Sequence, residues 1–259
     1  MPLHSQDDFI FMRRAGRLAA DLLDYIEQFV VAGVTTQKLN QICHDYIIDH
    51  GAIPAPLNYR GYPKSICISI NEVVCHGIPS ERQLSNGDCV NIDVTVIKDG
   101  WFGDSSRMYG VGEITAKAQK LIDITYDCLM RGVAAAGPGK SLGDIGHAIQ
   151  SYAESHRYSV VRDFCGHGIG RVFHDEPTVL HYGKPGRGAI LKPGMFFTIE
   201  PMINAGGYAV KILEDGWTAI TRDLSLSAQW EHTIGITATG AEVFTLSAVE
   251  RKRLGMDSA

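Results

Sequence analysis

Two capped amphipathic helices followed by a strand-rich stretch occur twice in succession, and this doubled plan supports a fold made of two related halves. Phe11, Ala15, Leu18, Leu22, Ile26 and Phe29 recur at helical spacing over residues 5–31, with Ser5, Asp7 and Asp8 as N-cap candidates. Gly33 ends that run. Thr35 or Thr36 caps a second helix carrying Leu39, Ile42 and Tyr46, which stops near Gly51. Residues 65–111 are strand-rich. The order then repeats, with a helix over 115–136 broken at Gly137-Pro138-Gly139, a short helix carrying Ser141, Ile145, Ala148 and Tyr152, and strands over 159–244. Thr35, Leu39, Ile42 and Tyr46 share the spacing of Ser141, Ile145, Ala148 and Tyr152. No Pro/Ser-rich linker separates the halves, so one fused domain is expected.

The pattern at residues 90–104 constrains two carboxylates. Val90, Ile92, Val94 and Val96 alternate with Asn91, Asp93 and Thr95, as a strand does. Lys98-Asp99-Gly100-Trp101 predicts a two-residue type I′ hairpin. If Lys98 pairs with Trp101, Thr95 pairs with Asp104. Asp93 and Asp104 then lie on one face, roughly 7–8 Å apart at the backbone. That separation lets both reach two ions roughly 3.5–4 Å apart. A slip of one residue would put them on opposite faces.

His167, Glu200 and Glu231 complete a candidate set with Asp93 and Asp104. Four carboxylates and one imidazole are hard, oxygen-rich ligands, better suited to two divalent ions sharing bridging carboxylates than to one tetrahedral zinc. Singly, each residue has an ordinary structural explanation. Two Asp in a hairpin can form a solvated face, and glycines around His167 can mark a bulge or close backbone approach. Glu200 ends the apolar run Met195-Phe196-Phe197-Thr198-Ile199, where a carboxylate is costly unless paired or metal-bound. Glu231 shares the face of Gln229 and Thr233. Five such residues together favour a metal centre. His76 and His174 stand beside the set without being needed as ligands, and peptide hydrolysis at a metal pair requires such groups.

Composition excludes other classes. The 259 residues are 45% apolar, enough for a full core, and the formal charge of −5 argues against a nucleic-acid or anionic-membrane partner. No apolar run approaches a membrane span. The opening MPLHSQDDF is acidic and polar, so no secretory signal is expected. Cys43, Cys67, Cys75, Cys89, Cys128 and Cys165 are scattered without a CxxC pair and read as reduced thiols of a cytosolic protein. Residues 134–141 nearly spell a P-loop, but Ala134 replaces its first glycine and a helix precedes it. Residues 166–171 fail the dinucleotide fingerprint at Arg171. HExxH does not occur, and the GxSxG match at Gly139-Lys140-Ser141-Leu142-Gly143 lies between two expected helices rather than on a strand-to-helix turn.

The strings GYPKSICISINEVVCHGIP, NIDVTVIKDGWFGDSSRMY, CGHGIGRVFHDEP, LKPGMFFTIEPM and LSAQWEHT resemble the type I methionine aminopeptidase family, over residues 9–246. The resemblance implies an α+β pita-bread fold in a single catalytic domain, residues 1–259. Its pseudo-symmetric halves, 5–112 and 115–246, would enclose a dinuclear metal site and leave a short C-terminal tail. It implies removal of the initiator methionine from nascent proteins and peptides, with preference for a small second residue. A cytoplasmic monomer in transient contact with the ribosome is expected, without a nucleic-acid motif or membrane attachment.

By the same resemblance, Asp93 binds one ion, Asp104 and Glu231 bridge both, and His167 and Glu200 complete the other's shell. The ions are divalent, with Co, Mn, Fe, Ni and Zn all open. Glu200, His76 and His174 are the catalytic groups, with His174 near the scissile carbonyl oxygen and His76 near the scissile nitrogen. Tyr59, Tyr62, Cys67, Phe173 and Trp217 line the methionine pocket, where sulfur–aromatic contacts add roughly 0.3–1.5 kcal/mol each. Asn71, Val73 and Ser227 match a site for one Na or K ion. Pro56, Arg60 and Ser105 depart from the residues usual in the family, the first two at the pocket edge. Type II relatives carry a helical insertion between positions 174 and 200, where this chain has a short loop. Proline-directed relatives of the same fold carry an added N-terminal domain. Non-catalytic pita-bread domains bind peptides, and the intact ligands and both histidines argue against that reading.

Overall fold

The computed structural model describes residues 2–256. The first half contains helices α1 (Gln6–Ile26) and α2 (Thr36–Asp49) and strands β1 (Ile53–Pro54), β2 (Cys67–Ile70), β3 (Val73–Cys75), β4 (Cys89–Lys98) and β5 (Trp101–Gly110). The second opens with helices α3 (Ala116–Ala135) and α4 (Leu142–Ser155). Short strands follow: β6 (Ser159–Val160), β7 (Gly166–Gly168), β8 (Asp175–Val179), β9 (Phe196–Ile199), β10 (Met202–Asn204), β11 (Val210–Ile212) and β12 (Ala219–Thr221). Strands β13 (Ser227–Gln229), β14 (Glu231–Ile236) and β15 (Ala241–Val243) and helix α5 (Ala248–Arg253) complete it.

Helix starts follow local hydrogen-bonding chemistry. Ser5 accepts from the Asp8 amide while Asp8 returns to the Ser5 backbone, closing a capping box. Ser141 and Asp144 do the same for α4. Thr35 and Thr115 cap α2 and α3. The first helix is shorter than its apolar spacing suggests. Its last turn tightens into a 3-10 turn at Glu27–Phe29, and Gly33 then takes φ +89°. The halves match in detail: α2 and α4 each have 14 residues, and their caps bridge equivalently to later loops, Thr35 to Gln83 and Ser141 to Ile190.

The main sheet has nine strands, in the path β1-β4-β5-β14-β9-β7-β8, with β2 on β4 and β15 on β14. Strands β5 and β14 join the halves, Ser106 facing Glu231 and Ser105 facing His232. Two three-stranded sheets, β13-β10-β6 and β11-β12-β3, flank it. Helices α1 and α2 bury Leu18, Leu22, Leu39 and Ile47 against Ile68, Val90, Ile92 and Val94. Helices α3 and α4 bury Leu121, Leu129, Ile145 and Ile149 against Phe197, Ile199 and Ile234. Phe9, Met12, Trp101, Phe196 and Phe244 form a third cluster that spans both halves. Among the described residues, no helix is long and apolar enough to cross a membrane.

Glycine permits a close helix–sheet approach. A Cβ on Gly103 would lie 2.4 Å from the Ala15 carbonyl carbon, in α1. Backbone stands on both sides, so the overlap cannot be relieved by a side-chain rotation. Gly103→Ala should therefore cost about 1–3 kcal/mol, read as a lower urea midpoint at unchanged m-value. An unchanged midpoint would show that α1 can move off the sheet freely.

Candidate active site

Five successive strands of the main sheet each deliver one of the five candidate ligands. In sheet order these are Asp93 on β4, Asp104 on β5, Glu231 at the start of β14, Glu200 directly after β9 and His167 on β7. The hairpin register is the one the Asp-Gly turn predicts: Lys98 pairs with Trp101 and Thr95 with Asp104. Asp99 and Gly100 both adopt positive φ, at 53° and 77°, as a type I′ turn demands.

The glycines flanking His167 serve backbone approach. A Cβ on Gly166 would fall 2.3 Å from the Thr198 carbonyl oxygen, and one on Gly168 would fall 2.0 Å from that of Glu176. The ladder between β7 and β8 shifts at His167/Gly168, a bulge that re-aims the imidazole. Its Nδ1 lies 3.1 Å from the Gly168 carbonyl oxygen. That contact puts the ring hydrogen on Nδ1 and leaves Nε2 facing the carboxylates, 3.5 Å from Asp104 Oδ2 and 3.7 Å from Glu200 Oε1.

Hydroxyls and an amide fix the carboxylates. Thr95 donates to Asp104 at 2.7 Å, Thr198 to Glu200 Oε1 at 2.8 Å and Gln229 to Glu200 Oε2 at 3.3 Å. Ser105 donates to the Glu231 carbonyl oxygen at 2.7 Å, and Thr233 to that of Asp104 at the same distance. The serine that departs from the family's residue thus still ties β5 to β14.

Burial and mutual repulsion distort the acidities. Asp93 and Glu231 are held well above the usual carboxylate range by burial, then by their carboxylate neighbours. Burial lifts Glu200 to about 7, with Asp104 adding and His167 opposing. Burial disfavours charge on His167, but the Asp104 and Glu200 carboxylates outweigh it and raise its affinity for a proton.

These residues fit divalent cations. Ligand atoms of Asp104, His167 and Glu231 lie within 4.8 Å of one another, and Asp93 and Glu200 flank them. Arg60 is the one Lys or Arg side chain among the described residues lining the cavity. Concentrated negative charge with so little local compensation is what hard cations neutralise.

The cluster floors a cavity of about 430 Å³, whose walls include Tyr59, Tyr62, Cys67, His76, Phe173, His174 and Trp217. Phe173 packs between Phe102, 5.4 Å away, and Tyr59, 4.8 Å away. Trp217 meets Tyr62 edge-on at 5.2 Å. The buried Tyr62 hydroxyl donates to the Ile66 and Gly77 carbonyl oxygens. His174 Nδ1 lies 3.0 Å from the Tyr59 hydroxyl. Burial first, then the neighbouring His167, lowers His174 to about 4, so the ring is neutral at pH 7. His76 sits at φ +56° between the edges of Phe164 and Trp217.

Asn71, Val73 and Ser227 lie outside this cavity. The Ser227 amide donates to the Asn71 carbonyl oxygen at 2.9 Å, and the buried Ser227 hydroxyl has no partner among the described residues. The Asn71 side chain is engaged by Asp88 and the Cys89 amide.

Thr95, Thr198 and Gln229 were given no role at the site from the sequence. Each stands two residues from a ligand on an extended chain, so period-two alternation placed them on the same face. Asp163, Phe164 and Met202 also line the cavity, and no sequence signal marks them.

A sequence profile of metallopeptidase family M24 matches residues 11–238. The methionine aminopeptidase of Rickettsia prowazekii is 63% identical over 246 residues, covering 95% of either chain. A crystal structure of methionine aminopeptidase from that organism superposes with a TM-score of 0.94 at 62% identity, over 95% of this chain and 100% of that one. The methionine aminopeptidase of Thermotoga maritima gives 0.93 at 36% identity, over 95% and 99%. The helix–helix–strand halves are those of the pita-bread fold. On this likeness, carried through nearly the whole length, the chain belongs to metallopeptidase family M24 and to the methionine aminopeptidases within it.

Proposed function

We propose that this protein removes the initiator methionine from nascent polypeptides as a single catalytic domain built of two related halves, using two divalent ions held by Asp93, Asp104, His167, Glu200 and Glu231. One observation carries the reading: a single cavity joins an aromatic recess, suited to a thioether, to a buried carboxylate–imidazole cluster. Divalent ions at such a cluster supply Lewis acidity to a carbonyl and acidify water. Glu200 is placed for proton transfer, its carboxylate oriented at the cavity floor by Thr198 and Gln229. It takes the proton of the attacking water and delivers it to the leaving amine.

With the Tyr59 hydroxyl as donor to His174 Nδ1, 3.0 Å away, the ring hydrogen would stand on Nε2 to meet the developing oxyanion. One such donor contributes on the order of 3 kcal/mol. His76 contacts the scissile nitrogen. The substrate's free amine would be bound at the ion that Asp93 holds, which restricts the reaction to amino termini. Tyr59, Tyr62, Cys67, Phe173 and Trp217 enclose the unbranched side chain of methionine.

Peptides beginning Met-Ala should release methionine, and their acetylated forms and Val- or Lys-initiated analogues should not. Equal kcat/KM for Met, Val and Lys starters, or no release with any added divalent metal, would end this reading. His76→Ala and His174→Ala should keep the parent's metal content and lose turnover by about 10²–10³-fold. Metal loss in either variant, measured by elemental analysis, would make that histidine a ligand instead.

A further inference from the structure

We propose that His181 is the positioning residue for Glu200, its Nε2 holding the Glu200 amide across the end of β7. The inference rests on the reading of Glu200 as ligand and proton carrier. His181 follows β8, which does not pair with β9. Its side chain nevertheless spans that gap and accepts from the Glu200 N–H at 3.0 Å. Residue 201 is proline, so Glu200 carries the last amide before a position that has none to donate.

The segment bearing His181 is fixed from behind. The Gly183 amide donates to Gln150 at 3.1 Å, and a Cβ on Gly146 of α4 would lie 2.4 Å from the Tyr182 carbonyl oxygen. The imidazole is buried, and its Nδ1 has no hydrogen-bond partner among the described residues. It forms no wall of the active-site cavity. A leucine would fill the same volume without burying two nitrogens. What the imidazole adds is one acceptor, and that acceptor meets Glu200. The other holds on Glu200, from Thr198 and Gln229, grip its carboxylate, so His181 alone of these fixes its backbone.

Three substitutions separate this role from simple packing. Glutamine reaches the position of Nε2 with an amide oxygen; asparagine is polar but too short, and leucine has no acceptor. His181→Gln should retain kcat and Mn²⁺ affinity within about threefold of the parent, whereas His181→Asn and His181→Leu should lose about 10–100-fold in both. KM should stay within about twofold, since a displaced proton carrier slows turnover more than it weakens substrate binding. Mn²⁺ affinity is measured by calorimetry on chelator-treated protein. Parent-like kcat and Mn²⁺ affinity in the asparagine variant, or no rescue by glutamine, would overturn the proposal. If leucine prevents folding, the comparison of glutamine with asparagine decides it. If the parent releases no methionine, the proposed function fails, and the Mn²⁺ affinities still decide the role of His181.

Discussion

Asp104→Asn should abolish methionine release, with kcat/KM reduced by more than about 10³-fold, and should leave the purified protein short of divalent metal. Asp104 is central to the cluster: β5 lies between β4 and β14, and His167 Nε2 stands 3.5 Å from its carboxylate. Asparagine keeps the shape and can still accept from Thr95, so packing is preserved. It removes the negative charge that the proposed ligand would contribute to the divalent ions. Losing several kcal/mol of charge stabilisation at about 1.36 kcal/mol per decade gives the stated factor. Elemental analysis and steady-state kinetics on the same preparation check both halves of the expectation. Parent-like metal content and turnover would remove Asp104 from the centre.

Chelator-treated protein should lose thermal stability as pH rises from 6.5 to 8, by on the order of 3–6 °C per pH unit. Asp93, Glu200 and Glu231 bind protons more tightly folded than unfolded. Above the unfolded carboxylate range the native state therefore holds the extra protons, and stability falls with rising pH. Glu200 carries this loss up to about 7, and Asp93 and Glu231, raised further by burial, carry it beyond. His167, also raised, acts in the same direction. Burial lowers His76, and lowers His174 to about 4 and His181 to about 3. Those rings oppose the trend below their unfolded value of 6.5 and contribute no change above it, which sets the lower edge of the window. Saturating Mn²⁺ should flatten the dependence, because the metal replaces the protons. A flat Tm in the chelated protein would mean that the carboxylates ionise without cost.

Much of the site was legible because its ligands lie on strands whose register is set locally. The Asp99-Gly100 turn alone brings Asp93 and Asp104 to one face. The four long helices were legible from their caps and apolar spacing. Helix α5 was not read, although Ser247-Ala248-Val249-Glu250 spells the capping box that starts it. His181 could not be read, since its contact with Glu200 depends on how α4 and two non-neighbouring strands pack. Nor does sequence disclose that His76 takes a left-handed backbone, a conformation uncommon for a residue other than glycine.

The junction of β5 and β14 ties function to completed folding. Ser105 and the Glu231 carbonyl that it holds are 126 positions apart in the chain, and Asp93 and Asp104 belong to one half while the other three candidate ligands belong to the other. Neither half alone presents the full ligand set. A chain emerging during synthesis can finish its first hairpin early, but it must close this long loop before all five groups converge. If the five candidates hold the metal, affinity for it arrives last, and a copy whose junction has not closed stays idle.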